Sequence, residues 1–215
     1  VAMDLDNTLL DSNKQISEHT KEVLKEAIRQ GVYIVPATGR IFKSIPEFLR
    51  NIEGVRYALC CNGATVYDQY EDQIIYTNHL PKEVTFEAFD ILEKYHCTHD
   101  VYQNGQGYME KRYLDHLDDY KVSGHLLKLV NDTRLPVDDL RRHIEENPLG
   151  IEKISAFFDD MEEREAAKKE LIDKNIASIS SALNNNIEIN QFGCDKGDGL
   201  TNLAVHLGLS MDEVM

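Results

Sequence analysis

An α/β fold, a parallel-sheet core interrupted by an inserted second α/β unit, follows from three features of this sequence. Up to Cys61, short apolar or β-branched runs alternate with amphipathic helical stretches. Strand–helix–strand order of this kind implies parallel strands joined by right-handed crossovers. From about residue 81 to 183 the regular alternation is lost, which reads as a second unit placed inside the first. After Asn184-Asn185-Asn186, one more alternating strand and a glycine-closed helix complete the chain.

The first strand, Val1-Ala2-Met3, runs into Asp4-Leu5-Asp6 and an Asn-Thr turn. In extended chain residues i and i+2 point the same way, so Asp4 and Asp6 can present two carboxylates to one small volume. They sit at a strand's C-terminal end, where open α/β sheets usually bind ligands. Two carboxylates that close are costly unless a cation lies between them or one keeps its proton. The pair therefore suits a hard-metal site or a general acid, and by itself the stretch also reads as a plain strand and turn.

Ser17 caps a helix running to Gln30, with Val23, Leu24, Ala27 and Ile28 on one face and Gly31 at its end. Val32–Ala37 reads as a buried strand that ends near Pro36, at Thr38-Gly39-Arg40. A helix follows from about Ser44 to Asn51. Tyr57–Cys61 is a third strand, ending at Asn62-Gly63-Ala64, and Thr65–Tyr67 with Ile74–Tyr76 form a hairpin.

The inserted unit opens with an amphipathic helix over Pro81–Tyr95, bearing Phe86, Phe89, Ile91 and Leu92. Extended segments near 98–103 and 107–111, a polar helical region over Arg112–Tyr120 and a helix over Val137–Glu146 follow. Ile151–Phe158 is a strand, Met161–Lys174 a charged helix and Ile176–Leu183 a strand. Ile187 and Ile189 then alternate with Glu188 and Asn190, and Asp195-Lys196-Gly197-Asp198-Gly199 leads into a helix closed by Gly208.

Apolar residues make up 42% of the 215, enough for a core, and charged residues 28%. The formal charge of −15 disfavours nucleic acid and anionic membrane as partners, and any phosphate site would need its own cations. No apolar run approaches the roughly 20 residues of a membrane span. Cys60, Cys61, Cys97 and Cys194 show neither CxxC spacing nor disulfide-scaffold density, which points to a reducing cytoplasm. His96-Cys97-Thr98-His99-Asp100 lacks the second ligand cluster a zinc site wants.

Four segments, in order, resemble signatures of the haloacid dehalogenase-like hydrolases. Asp4-Leu5-Asp6-Asn7-Thr8 is similar to the first, Asp-x-Asp-x-Thr, with Asn7 where glycine is usual; Asn tolerates a positive φ better than most residues. Thr38, ending the second strand, resembles the second signature, and Lys196 at a helix start the third. Asn62-Gly63-Ala64 is typical of the Cof-like sugar-phosphatase branch, whose large α/β cap follows the third strand. The resemblance covers essentially the whole chain. It implies a Rossmann-like parallel sheet core over residues 1–80 and 184–215, discontinuous and incomplete at its C-terminus, with an inserted α/β cap domain over 81–183. The fourth signature, an acidic Gly-Asp-x-x-x-Asp-type loop, has no counterpart in these residues. The expectation is that they are not the whole functional protein and would bind metal weakly.

The resemblance also implies an activity: a Mg²⁺-dependent phosphatase acting on a small phosphorylated metabolite, in the first place a sugar phosphate. Asp4 would be the nucleophile and Asp6 the general acid and base. Thr38, Gly39, Arg40, Asn62 and Lys196 would bind the phosphorylated substrate, with Thr38 and Lys196 also acting in the transfer. Mg²⁺ would rest on the Asp4 side chain, the Asp6 backbone carbonyl and a later acidic residue. A phosphosugar mutase of the same superfamily is the near alternative, and a non-catalytic phospho-ligand binding protein the more distant one. The expected state is a monomer or homodimer, with neither nucleic acid nor membrane as partner.

Overall fold

Two short parallel strands, β1 (Ala2–Met3) and β2 (Val35–Pro36), begin the computed structural model, which describes residues 1–215. Pro36 is tolerated in β2 because its neighbours supply the donors. Val35 N gives to Val1 O (2.9 Å), Ala37 N to Met3 O (2.8 Å), and Thr38 N to Leu59 O (2.9 Å) on the far side. Between β1 and β2 runs α1 (Glu18–Arg29), its first turn capped by the Ser17 hydroxyl, which accepts from Thr20 N at 3.0 Å. Leu24 carries its buried contact, whereas Val23, expected on the same face, is exposed. Helix α2 (Glu47–Arg50) is a single turn, shorter than expected, preceded by a 3₁₀ turn at Phe42–Ser44. Strands β3 (Tyr57–Cys60), β4 (Thr65–Asp68) and β5 (Gln73–Thr77) form an antiparallel meander, and a parallel bridge from Ala37 to Leu59 joins β2 to it.

The second unit, residues 79–193, is a six-stranded sheet with helices on its faces. Its elements are α3 (Lys82–Leu92), β6 (Cys97–Gln103), β7 (Gln106–Glu110), α4 (Lys111–Leu114), α5 (Gly124–Thr133), β8 (Arg134–Val137), α6 (Leu140–Glu146), β9 (Lys153–Phe158), α7 (Met161–Lys174), β10 (Ser178–Ser180) and β11 (Asn186–Asn190). The strand order is β10-β11-β9-β6-β7-β8, and only β7 and β8 run parallel. Alternation sends Val101, Ile154, Ala156, Ile187 and Ile189 to one face, where they pack with Phe89 and Leu92 of α3, Leu140 and Ile144 of α6, and Leu171 of α7. Met109 and Phe157 pack with Tyr113, Leu117 and Val130 in a separate cluster.

Two expectations change here. The strand at 187–190, expected in the first unit, belongs to the second: β11 pairs antiparallel with both β9 and β10, and Ile187 and Ile189 are fully buried in the second unit's core. The second unit accordingly spans 79–193 rather than 81–183. Pro136, just before the helix expected over Val137–Glu146, does not open that helix. It sits instead in the edge strand β8, where the missing N–H costs no ladder bond, and α6 starts after Asp139, whose carboxylate accepts from Arg142 N (2.9 Å).

The chain then returns to the first unit, residues 1–78 and 194–215, as α8 (Lys196–Leu207). Asp195 caps it by accepting from Asp198 N at 2.8 Å, and Gly208 ends it at φ 68°. Leu203 of α8 joins Val35, Ala37, Tyr57, Leu59 and Val66 in the first unit's core. No helix is long and apolar enough to cross a membrane.

Candidate active site

The first unit gathers Asp4, Asp6, Arg40 and Lys196 at the C-terminal ends of its parallel strands. Below β1, tight hydrogen bonds close the turn: Leu9 N gives to Asp4 O (3.2 Å), and both Thr8 N (3.4 Å) and Leu10 N (2.9 Å) give to Leu5 O. Asn7 has φ 62°, the conformation for which glycine is usual and which Asn tolerates. The Thr8 hydroxyl donates to Asp4 Oδ2 at 3.2 Å.

Each carboxylate has its own cation. Lys196 Nζ hydrogen-bonds Asp4 Oδ1. Arg40 grips Asp6 with two bonds, Nε to Oδ2 at 2.9 Å and Nη2 to Oδ1 at 2.6 Å, the geometry that makes Arg–carboxylate pairs strong. Lys14, which sequence reasoning missed, adds Nζ to Asp6 Oδ1 at 2.9 Å. Burial pushes the Asp6 carboxyl up, but hydrogen bonds from Arg40 and then Lys14 outweigh it and hold the group below the ordinary Asp range. Three cations thus meet two carboxylates in a chain whose formal charge is −15. The surplus is a local positive centre on an acidic protein, suited to a dianion.

Lys196 stands in the first turn of α8, where the helix dipole opposes a cation. Pairing with Asp4 offsets that cost, which argues that the position is set by the site and not by the helix. Thr38 is buried, and its hydroxyl accepts from Arg40 N (3.2 Å), shaping the turn that swings the guanidinium onto Asp6. Its carbonyl accepts from Asn62 N (3.0 Å), and Arg40 O from Cys61 N (2.9 Å), so the turn after β2 is laced to the turn after β3. Cys61, Asn62 and Gly63 all have positive φ (52°, 66° and 103°). Such a run stays folded only where its surroundings impose it. At Gly63 a Cβ would lie 2.1 Å from Asp195 O, so the glycine admits the start of α8 directly against this turn.

The other acidic residues at the start of α8 are engaged elsewhere. Asp198 accepts from the Tyr76 hydroxyl (2.6 Å) and from Asn78 Nδ2 (3.2 Å), tying α8 to β5. Burial, then that hydrogen bond, pushes the Tyr76 hydroxyl up to about 12. Asp195 is spent on its cap. In the second unit the His96–Asp100 stretch holds no metal cluster: His96 pairs with Asp159 (2.9 Å), while His99 is buried between Phe89 and Tyr113. No three His, Cys, Asp or Glu side chains converge on a metal-sized site anywhere in residues 1–215.

The donor set nonetheless fits a hard divalent cation held at two points. The Asp4 carboxylate is one, and the Asp6 carbonyl, which takes no part in the hydrogen bonds of the Asp4–Leu10 turn, is the other. Mg²⁺ is commonly held by one or two protein oxygens, with water and substrate completing the shell.

Comparisons with known proteins identify the family. The family model described as haloacid dehalogenase-like hydrolase matches residues 1–215. A putative phosphatase of Buchnera aphidicola subsp. Baizongia pistaciae is 33% identical over 101 residues, 47% of this chain and 36% of that protein, so the match spans little more than a third of that relative's length. The 5-amino-6-(5-phospho-D-ribitylamino)uracil phosphatase YitU of Bacillus subtilis is 27% identical over 100% of this chain and 77% of its own. Among solved structures, a haloacid dehalogenase-like hydrolase from B. subtilis superposes with a TM-score of 0.80 at 23% identity, covering 99% of this chain and 80% of that one. With its whole length matched by the family model and its signature residues assembled around one small volume, the chain belongs to the haloacid dehalogenase-like hydrolases.

Proposed function

We propose that the protein is a Mg²⁺-dependent phosphatase that hydrolyses a small phosphorylated metabolite, a sugar or polyol phosphate, through an aspartyl phosphate on Asp4. One observation carries this reading: two carboxylates two residues apart, each held by its own cation, with a local surplus of positive charge. A pure binding site for a phosphate dianion gains nothing from two carboxylates, which repel the ligand; a nucleophile and a proton carrier both require one. The relative named for a phosphoribityl compound supports a polyol phosphate as the substrate class.

The residues divide the work as follows. One Asp4 oxygen attacks phosphorus, and the bond from phosphorus to the leaving oxygen breaks, its electron pair staying with that oxygen. The leaving oxygen takes a proton from Asp6. Water then attacks the aspartyl phosphate and gives its proton to Asp6, and the Asp4–phosphorus bond breaks to release inorganic phosphate. The Arg40–Asp6–Lys14 arrangement, with Asp6 held as the anion, is the form the second step uses. Lys196, the Thr38 hydroxyl, and the Gly39 and Asn62 turns beside it are proposed to hold the phosphoryl oxygens as charge spreads over them. Mg²⁺, held by Asp4 and the Asp6 carbonyl, would supply charge neutralisation to the same oxygens. The four cysteines are buried without disulfides, which suits the cytoplasm as the proposed setting.

The test is phosphate release over a panel of sugar, polyol and nucleoside phosphates and pyridoxal phosphate, with Mg²⁺ or with chelator. Release that needs Mg²⁺ and disappears in Asp4→Asn supports the reading. Transfer between sugar positions only in the presence of a bisphosphate would favour a mutase, and binding without turnover would replace the enzyme with a sensor.

A further inference from the structure

We infer that Lys14 is a positioning residue for Asp6: it pins Oδ1 of that carboxylate and leaves Oδ2 as the oxygen that exchanges the proton. The inference rests on the phosphatase reading above and extends it to a residue outside the motifs that suggested it.

Lys14 lies eight positions beyond Asp6. It is aimed by a turn built on Asp11. The Asp11 carboxylate accepts from Asn13 N (2.8 Å) and Gln15 N (2.9 Å) through one oxygen. Asp11 O accepts from Lys14 N (2.9 Å), and Asp11 N donates to Gln15 O (2.9 Å). These four bonds hold Lys14 at φ 59°, a left-handed conformation that a long side chain adopts only under constraint. The constraint turns the side chain back onto Asp6, and the side chain is only partly exposed, at 38%.

The consequence for Asp6 is an asymmetry. Oδ1 receives both Arg40 Nη2 (2.6 Å) and Lys14 Nζ (2.9 Å); Oδ2 receives Arg40 Nε alone (2.9 Å). A carboxylate oxygen offers two lone-pair directions, so Oδ1 is filled and Oδ2 keeps one free. Arg40 alone would serve the two oxygens equally. Lys14 breaks the tie, and with it decides which oxygen can face a leaving group or a water. An exposed ion pair made for stability is worth little and needs no strained turn to hold it. The proton route is unchanged in balance: Oδ2–H gives its proton to the leaving oxygen as the phosphorus–oxygen bond breaks, and Oδ2 later takes one from water.

Two experiments test it, both on the full chain. Ribose 5-phosphate and 4-nitrophenyl phosphate are turned over by wild type, Lys14→Met, Lys14→Arg and Asp11→Ala. Misplacing Asp6 should lower the first-step rate, read as pre-steady-state release of the leaving alcohol, about tenfold or more for the sugar phosphate and less than about threefold for the aryl phosphate, since only the sugar phosphate needs a proton delivered in that step, while the base step is common to both. KM should hold within about twofold for both, Asp11→Ala should show the same split, and Lys14→Arg should restore most of the loss. In parallel, melting shifts are measured for Lys14→Met, Asp6→Asn and the double variant; coupled residues give less-than-additive shifts. Equal first-step losses on the two substrates, or fully additive shifts, overturn the inference while leaving a phosphatase intact. Absence of phosphate release by wild type from every monoester overturns the phosphatase reading and the catalytic role of Lys14 with it; coupled shifts would then leave only a structural pair.

Discussion

Lys196 and Asp4 stand 192 positions apart in the chain, and their side chains meet in an ion pair, Nζ to Oδ1. The pair joins the first strand to the first turn of the last helix across the entire inserted unit. On the proposed reading it meets the electrostatic problem of the site: an anion that attacks a dianion is kept beside a fixed cation.

Asp4→Asn tests the nucleophile. The amide fills the same volume and still accepts from Lys196, so the melting temperature should move little. Turnover should fall by about 10⁴-fold or more, as it does when a nucleophile is removed. Multiple-turnover phosphate release near the wild-type rate would sink the assignment, and a burst assay that traps phosphate on the wild-type protein but not on Asp4→Asn would secure it.

Asp6→Asn tests the acid and base. An Asn can be gripped by Arg40 only through its carbonyl oxygen and can carry no exchangeable acid proton, so sugar-phosphate turnover should drop by about 10²- to 10⁴-fold. An activated aryl phosphate, whose leaving group needs less protonation, should lose markedly less in its first step. Comparable first-step losses, measured as the rate of aryl alcohol release, would argue that Asp6 only shapes the site.

How much of this was legible in the sequence depended on range. The Asp4–Asp6 spacing could be read because it is a local pattern at a strand end. Thr38 and Lys196 stood out only through the family resemblance, since a Thr-Gly-Arg turn and a lysine at a helix start are ordinary by themselves. Lys14 could not be read: in a polar stretch it looks like any solvated lysine, and only the Asp11 turn gives it a direction. The Asp198–Tyr76 bond spans 122 positions and leaves no periodic trace. Alternation at Ile187 and Ile189 announced a strand but carried no information about which sheet it would join, so β11 was placed in the wrong unit. Helix α5 was passed over because its 10 residues open on glycine and bury Val130 alone.

Gly63→Ala should uncouple the two halves of the site. A Cβ there would meet Asp195 O at 2.1 Å, and φ 103° is closed to alanine. Either the turn or the N-terminus of α8 must shift, and α8 carries Lys196. The expected result is a loss of about 3 kcal/mol of stability together with a weaker hold on phosphate. Denaturant melts and inhibition by inorganic phosphate read the two separately. Full stability with wild-type phosphate inhibition would mean that the close approach positions nothing.

His99 should make the protein acid-sensitive through its second unit. The ring is 1% exposed, lies between Phe89 (4.6 Å) and Tyr113 (5.2 Å), and neither nitrogen has a hydrogen-bond partner. Burial, with smaller contributions from Arg112 and Arg141, pulls its pKa from 6.5 to about 3. Glu93 faces it at 4.0 Å and is the one carboxylate placed to receive a proton-bearing ring. The sign follows from proton counts. Between pH 6.5 and 3 the unfolded chain binds a proton at this position and the folded chain does not, so stability falls as pH falls through that window, by up to about 1.4 kcal/mol per pH unit from this group. Above pH 6.5 the group contributes no slope. His99→Phe keeps an aromatic ring in the same pocket and removes the titration, so its melting temperature should vary less than that of wild type between pH 6.5 and 4. Parallel melting curves against pH for the two proteins would show that Glu93 moves in to accept the charged ring and that burial of His99 imposes no acid penalty.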